Sequence, residues 1–238
     1  GGGSEADAEA HLAGLAKARE IADVVEVFTG GDGAAVAEVV GAHGATKVLA
    51  TGDLSGKLQG VHVAAALAAA IEGGDAPDAI LAGTTYDGRD IAARLSVKLD
   101  KPVLTNNTGI SVDDGIVVET QIFGGTQIVK TKFAAGGPAI ALFRPKSFAA
   151  EETGGGPAAV ETLEVTDPGQ AKVVNRHVEE ATGPKLDEAA VVVTGGRGLG
   201  EAEKYEMIET LAKLLKGAPG AARAIVDAGW VPYSYQIG

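Results

Sequence analysis

The residues best suited to chemistry lie near the end of the 238-residue chain. Val191-Val192-Val193-Thr194 is a β-branched apolar run, and Gly195-Gly196-Arg197-Gly198-Leu199-Gly200 follows at once. Glycines let backbone N–H groups approach a phosphate closely, and a following helix adds a partial positive charge at its N-terminus. The arginine supplies a fork of donors suited to a diphosphate or an electron-rich ring. A helical pattern runs from Glu201 to about Lys216. A second apolar run, Ala224-Ile225-Val226, reads as the next strand, with Arg223 just before it and Asp227-Ala228-Gly229-Trp230 after it. Strand, glycine-rich turn, helix and strand make up half of a dinucleotide site. A tight turn with a solvent-facing Arg197, and a surface Arg223 paired with Asp227, would explain the same residues without a ligand.

Other chemistries find little support. The chain has no cysteine, which removes disulfides, thiolate metal sites and cysteine nucleophiles and fits a cytoplasmic protein. His11, His43, His62 and His177 are scattered without metal-ligand spacing. His11 and His43 are expected to be exposed, and His62 to pack on a helix. No Ser/His/Asp set stands at a telling spacing, so the residues do not read as those of an enzyme.

A formal charge of −12 argues against a nucleic-acid partner, and 4% aromatic residues argue against a base-stacking platform. Apolar residues make up 45% of the chain, enough for a proper core. No segment approaches the ~20 apolar residues of a membrane span, so no membrane insertion is expected. Nothing at the N-terminus reads as a signal peptide; Gly1-Gly2-Gly3-Ser4 reads as a linker and is left out of the fold reasoning.

The elements that must position the candidate residues follow from the periodicity. From Glu5 to Asp100 short apolar runs alternate with amphipathic stretches. Helices are predicted over Ala8–Ala22, Asp32–Ala42, Gln59–Glu72 and Arg89–Leu99. Strands are predicted over Val24–Phe28, Lys47–Thr51, Ala79–Gly83 and Pro102–Leu104. This is the pattern of βα units around a parallel sheet. Asp87, Arg89 and Asp90 form a charged helix start in which an aspartate is the simplest cap. From Gly109 to Arg144 three runs (Ile116–Ile122, Gln127–Phe133, Ala139–Phe143) are separated by glycine pairs and predict an antiparallel meander or hairpins. Residues 151–158 read as a solvated loop, Val160–Val165 as a further strand, and Glu179–Asp187 as a domain boundary. The fold class is therefore α/β. Residues 1–182 form a parallel-sheet domain with antiparallel hairpins, and residues 183–238 the first part of a Rossmann-like domain.

Several strings together resemble the alpha subunit of electron-transfer flavoproteins. That family follows a strand-G-G-R-G turn and one helix with G-A-S-R-x-x-V-D-x-G, matched here by Gly220-Ala221-Ala222-Arg223-Ala224-Ile225-Val226-Asp227-Ala228-Gly229. Its Q-V-G-Q-T/S-G-K segment begins here as Gln236-Ile237-Gly238. In the first domain, A-D-G-K/R-E/D-I-A-x-R-L is matched by Tyr86-Asp87-Gly88-Arg89-Asp90-Ile91-Ala92-Ala93-Arg94-Leu95, and I-F/Y-G-G by Ile122-Phe123-Gly124-Gly125. The order and spacing agree over roughly residues 20–238.

The resemblance implies an electron carrier rather than an enzyme, with FAD as cofactor. It implies FAD contacts at Gly196, Arg197, Gly198, Ala222, Arg223, Ile237 and Gly238, with Arg223 beside the flavin ring, where a positive charge favours reduced, anionic flavin. Ala222 replaces the family's serine and so lacks its hydroxyl donor. The implied partner is a beta subunit holding AMP, packed mainly on the first domain. Donors would be flavoprotein dehydrogenases, commonly acyl-CoA dehydrogenases, and the acceptor an electron-transfer-flavoprotein quinone oxidoreductase. The location would be cytoplasmic, or the mitochondrial matrix in a eukaryote. The family continues past the position of Gly238 with Q-T/S-G-K and G-I-S-G-A-x-Q-H. A chain that truly stopped there would be expected to carry a mobile, protease-sensitive second domain without FAD. Two other readings are a nucleotide-binding α/β module (a dinucleotide-dependent oxidoreductase fragment or an adenine-nucleotide binder) and an interaction scaffold.

Overall fold

The structure, a computed structural model, describes residues 5–54, 56–134, 136–165, 170–175, 184–186 and 189–237, with the backbone alone over 5–10. The expected boundary stretch Glu179–Asp187 lies largely outside the described residues. Two compact units are present, Gly1–Asn175 and Arg176–Gly238.

The first unit opens with βα alternation: α1 Glu5–Ile21, β1 Glu26–Thr29, α2 Ala34–Ala42, β2 Lys47–Ala50, α3 Gln59–Glu72, β3 Ala79–Gly83, α4 Tyr86–Leu99. Five strands follow: β4 Val103–Val112, β5 Ile116–Ile122, β6 Gln127–Lys132, β7 Ala139–Phe143 and β8 Ala159–Thr162. They form two sheets, a parallel one of order β1-β2-β8 and a mixed one of order β3-β7-β4-β5-β6. The α/β class is as expected. The meander holds for β5 and β6, which pair antiparallel, and β4, expected to end at Leu104, runs on to Val112 and pairs antiparallel with β5. The meander fails at β7, which runs parallel between β3 and β4.

The reason lies in burial. Every residue of β7 is buried. Ile140 and Leu142 enter one apolar cluster with Ala68, Ala92 and Leu95. Ala141 and Phe143 enter another with Ile110 and Val118. A strand apolar on both faces belongs in the covered centre of a parallel sheet, not in a half-solvated hairpin. β4 changes partners beside it, with register shifts between Leu104 and Asn107 and between Asn107 and Gly109. Fully buried Asn107 fills that break. Its amide donates to the Leu104 and Leu142 carbonyls at 2.8 and 2.9 Å, and its Oδ1 accepts from Thr120 Oγ1 at 2.9 Å. A buried amide is tolerated because its hydrogen bonds are made.

Helix α4 starts earlier than Arg89. Its cap is Thr85, whose hydroxyl accepts the Gly88 N–H at 3.0 Å, and not an aspartate. Asp87 lies in the first turn, where its charge suits the helix dipole, and Asp90 pairs with Arg94 at 2.8 Å. The 151–158 segment is exposed over most of its length but pinned to α2. The Thr153 and Ala158 N–H groups donate to the Ala42 and Ala37 carbonyls at 2.7 and 3.0 Å.

The second unit carries β9 Val192–Gly195, 3-10 turns at Arg197–Leu199 and Ala202–Tyr205, then α5 Glu206–Leu214. It continues with β10 Ala218–Ala222, the one-turn helix α6 Arg223–Val226, a 3-10 turn at Tyr233–Tyr235 and β11 Gln236–Ile237. The strands are parallel in the order β11-β10-β9. The run Ala224-Ile225-Val226, expected as a strand, is therefore helical, and the strand lies earlier, over Ala218-Pro219-Gly220-Ala221-Ala222. Its small residues suit close packing: Ala218 and Ala221 are 1% and 0% exposed.

Pro219 is tolerated in this central strand for a positional reason. The Ala218 N–H donates to the Val191 carbonyl at 2.9 Å, so the alternation turns the proline nitrogen to the other side. There β11 pairs only from Ala221 onward, and no donor is needed.

Candidate functional site

The three strands of the second unit end on one edge. Gly195 pairs with Ala221, and Ala222 with Ile237. Gly196-Arg197-Gly198 leaves β9 there, Ala222-Arg223 closes β10, and Ile237 closes β11. Gly238 lies outside the described residues. The earlier position of β10 corrects the place of Arg223: it follows a strand instead of preceding one, and so stands at the carboxyl edge of the sheet. Open parallel sheets bind ligands at that edge.

The local geometry follows from the glycines. Gly196 is extended, and a Cβ built on it would stand 3.6 Å from the Ala222 Cβ, so these two backbones are neighbours. A Cβ on Gly198 would meet nothing within 4 Å. Gly200 has φ +88, a conformation that favours glycine and lets the turn close after the Gly200 N–H bonds to the Arg197 carbonyl at 3.0 Å. Arg197 is exposed. Arg223 Nε donates to Asp227 Oδ2 at 3.2 Å, but the two side chains are 76% and 62% exposed. Such a pair is worth at most about 1 kcal/mol and leaves the guanidinium free to turn toward an anion.

These residues fit a flavin dinucleotide. Exposed glycine backbone, two guanidinium groups and an uncrowded sheet edge offer donors to a diphosphate and a cation to an electron-rich ring. Elsewhere the described residues offer less. They contain no cluster of acids and histidines able to hold a metal. His43 is buried, with Nδ1 2.8 Å from the Val39 carbonyl, because it closes α2 against the core. His11 is exposed, and His62 Nδ1 lies 3.0 Å from the Leu58 carbonyl. An open cleft of about 530 Å³ beside Arg89, Val103, Asn106 and Leu142 in the first unit holds no acid–base pair.

Sequence reasoning missed Tyr205 and the packing role of Gly195. Tyr205 is 3% exposed, and its hydroxyl donates to the Gly220 carbonyl at 2.8 Å. A Cβ on Gly195 would lie 2.8 Å from Leu199 Cδ1, 2.9 Å from Ile208 Cγ1 and 3.2 Å from Tyr205 Cε2. The absence of a side chain at Gly195 thus lets the core rise to the strand end. The tyrosine three positions before Ile208 is the only hint of this in the sequence.

Burial pushes the Tyr205 phenol up to about 12, helped by Tyr235 and Glu209. Its folded value lies above the ~10 of an unfolded tyrosine. Its contribution to stability is therefore full below about pH 10 and lost as pH rises toward 12. Ultraviolet titration should show a tyrosine ionising last, absent from Tyr205→Phe, with unfolding in the same interval. Simultaneous ionisation of all 4 tyrosines would contradict this.

Comparison with known proteins agrees with this geometry. The "Electron transfer flavoprotein domain" family matches residues 5–168, and the "Electron transfer flavoprotein FAD-binding domain" family matches residues 185–238. The chain is 36% identical to an electron transfer flavoprotein subunit alpha of Paracoccus denitrificans, over 94% of this chain and 71% of the relative. It is 34% identical to the Mycobacterium leprae subunit, over 90% of this chain and 67% of the relative. It is 32% identical to the mitochondrial subunit of Arabidopsis thaliana, over 67% of this chain and 46% of that relative. No described helix is long and apolar enough to cross a membrane. With both family matches in chain order and relatives aligned along most of its length, the chain belongs to the electron transfer flavoprotein alpha-subunit family.

Proposed function

We propose that this chain carries electrons on FAD held at the carboxyl edge of β9, β10 and β11. The observation that carries the assignment is the convergence of Gly196-Arg197-Gly198, Ala222-Arg223 and Ile237 on that edge within the stretch matching the FAD-binding family. The flavin supplies the redox chemistry; the protein makes and breaks no substrate bond. Gly196 and Gly198 leave room for the cofactor, and Arg197 donates to it. Ala222 contributes its backbone N–H alone, and Arg223 places a fixed positive charge near the ring. Ile237 and Gly238 contribute backbone.

The subunit name borne by the relatives supports a heterodimer with a beta subunit, and we assign AMP to that partner. The first unit supplies most of the contact. The donors are flavoprotein dehydrogenases, acyl-CoA dehydrogenases among them, and electrons pass toward a quinone oxidoreductase. The site of action is the cytoplasm, or the mitochondrial matrix in a eukaryote.

Co-expression of the full-length subunit with its beta partner should yield a yellow heterodimer containing FAD. Gly196→Val should abolish the colour by filling the space between β9 and Ala222. A colourless wild-type heterodimer that stays so after FAD addition would refute the assignment.

A further inference from the structure

Three strand ends can serve one ligand only if they are held in a common register, and β11 is too short to supply this by itself. It pairs with β10 through two residue pairs, Ala221 with Gln236 and Ala222 with Ile237. One buried side chain touches all three segments from beneath. The Tyr205 ring packs on the bare backbone of Gly195, one residue before Gly196. Its hydroxyl donates to the carbonyl of Gly220, two residues before Ala222. Its ring lies against Tyr235, two residues before Ile237, with centroids 6.2 Å apart. A phenylalanine would fill the same volume. Burying a hydroxyl costs free energy unless its hydrogen bond is made, and this one is made to the strand that carries Arg223.

We propose that Tyr205 is a positioning residue for the flavin: its ring and hydroxyl together set the ends of β9, β10 and β11 relative to one another, and the hydroxyl fixes the end that presents Arg223. The proposal rests on the reading that those ends hold FAD. Burial keeps the phenol neutral through the physiological range, so it remains a donor to Gly220. Gly195 is the complementary element, since any side chain there would push against Tyr205, Leu199 and Ile208 together.

The test uses the full-length heterodimer, with flavin removed and then titrated back. Tyr205→Phe should stay folded and melt slightly below the wild-type apoprotein, since one buried hydrogen bond is lost; it should also weaken FAD about three- to tenfold and change the one-electron potential of the bound flavin. A folded Tyr205→Phe protein with wild-type FAD affinity and potential would overturn the proposal. So would a lowered melting temperature with unchanged flavin properties, which would make Tyr205 a core residue only. Should Tyr205→Phe fail to fold, Tyr235→Leu carries the test: it keeps the hydroxyl bond and removes the ring contact to β11. Weakened FAD binding would support the proposal, and wild-type affinity would end it. Arg197→Ala and Gly196→Val separate the two layers. If they weaken FAD and Tyr205→Phe does not, positioning alone is wrong. If they leave affinity unchanged, the site assignment fails and the proposal falls with it.

Discussion

Ile225→Ala is expected to destabilise the second unit by about 2–5 kcal/mol while leaving the first intact. Ile225 is 0% exposed and lies in the cluster formed by Tyr205, Ile208, Ala221 and Val231. Removing three carbons from a packed core costs about 2–5 kcal/mol, because the transfer term and the cavity term add. Folded domains are marginally stable, about 5–15 kcal/mol in total, so a loss of this size is a large fraction of what holds the unit. The consequence reaches the site directly. Ile225 is the buried anchor of α6, whose first residue is Arg223. The Trp230 N–H donates to the Ile225 carbonyl at 3.0 Å, so the loop leading toward β11 depends on the same anchor. Limited proteolysis with mass spectrometry should show early cleavage after residue 176 and a surviving first unit. Calorimetry should show one transition lost or lowered. A variant with both transitions at wild-type temperature would show that the cluster is not what holds this unit.

Arg223→Ala is expected to lower the one-electron potential of the bound flavin by roughly 40–130 mV. A cation beside the ring stabilises the reduced, negatively charged form more than the oxidised one, which makes reduction easier. Charge-assisted contacts of this kind are worth about 1–3 kcal/mol, and about 59 mV corresponds to 1.4 kcal/mol for one electron. The pair with Asp227 is exposed and worth at most about 1 kcal/mol, so it does not hold the guanidinium away from the ring. Arg223→Lys should recover part of the shift, keeping the charge without the planar fork. Redox titration of the three proteins decides the matter. An unchanged potential in Arg223→Ala would place the guanidinium away from the ring.

Much of the chain was legible locally. Helix Gln59–Glu72 and strand Ala79–Gly83 have the expected bounds, since alanine-rich helical periodicity and a short apolar run between breakers each announce themselves. The turn Gly195–Gly200 with Arg197 was legible because glycine, arginine and a preceding apolar run are chemically distinctive. Less visible were features whose cause is distant in sequence. β10 is built of Ala, Pro and Gly, which carry almost no strand preference, while the β-branched residues just after it form a helical turn. β10 exists because β9 and β11 pair with it and the cluster around Tyr205 covers it.

The residue types, their order and the resemblance they carry sufficed for the α/β class and the electron-carrying role. Tertiary structure alone decided the rest. It placed β7 in the buried middle of the mixed sheet, because only there are both its faces covered. It put Arg223 after a strand, at the edge where Arg197 also emerges. It set Tyr205 beneath three strand ends. Each is a contact between segments far apart in the chain, and its free energy arises from shared burial and completed hydrogen bonds. No local window of sequence contains both partners of such a contact, so no local pattern can state it.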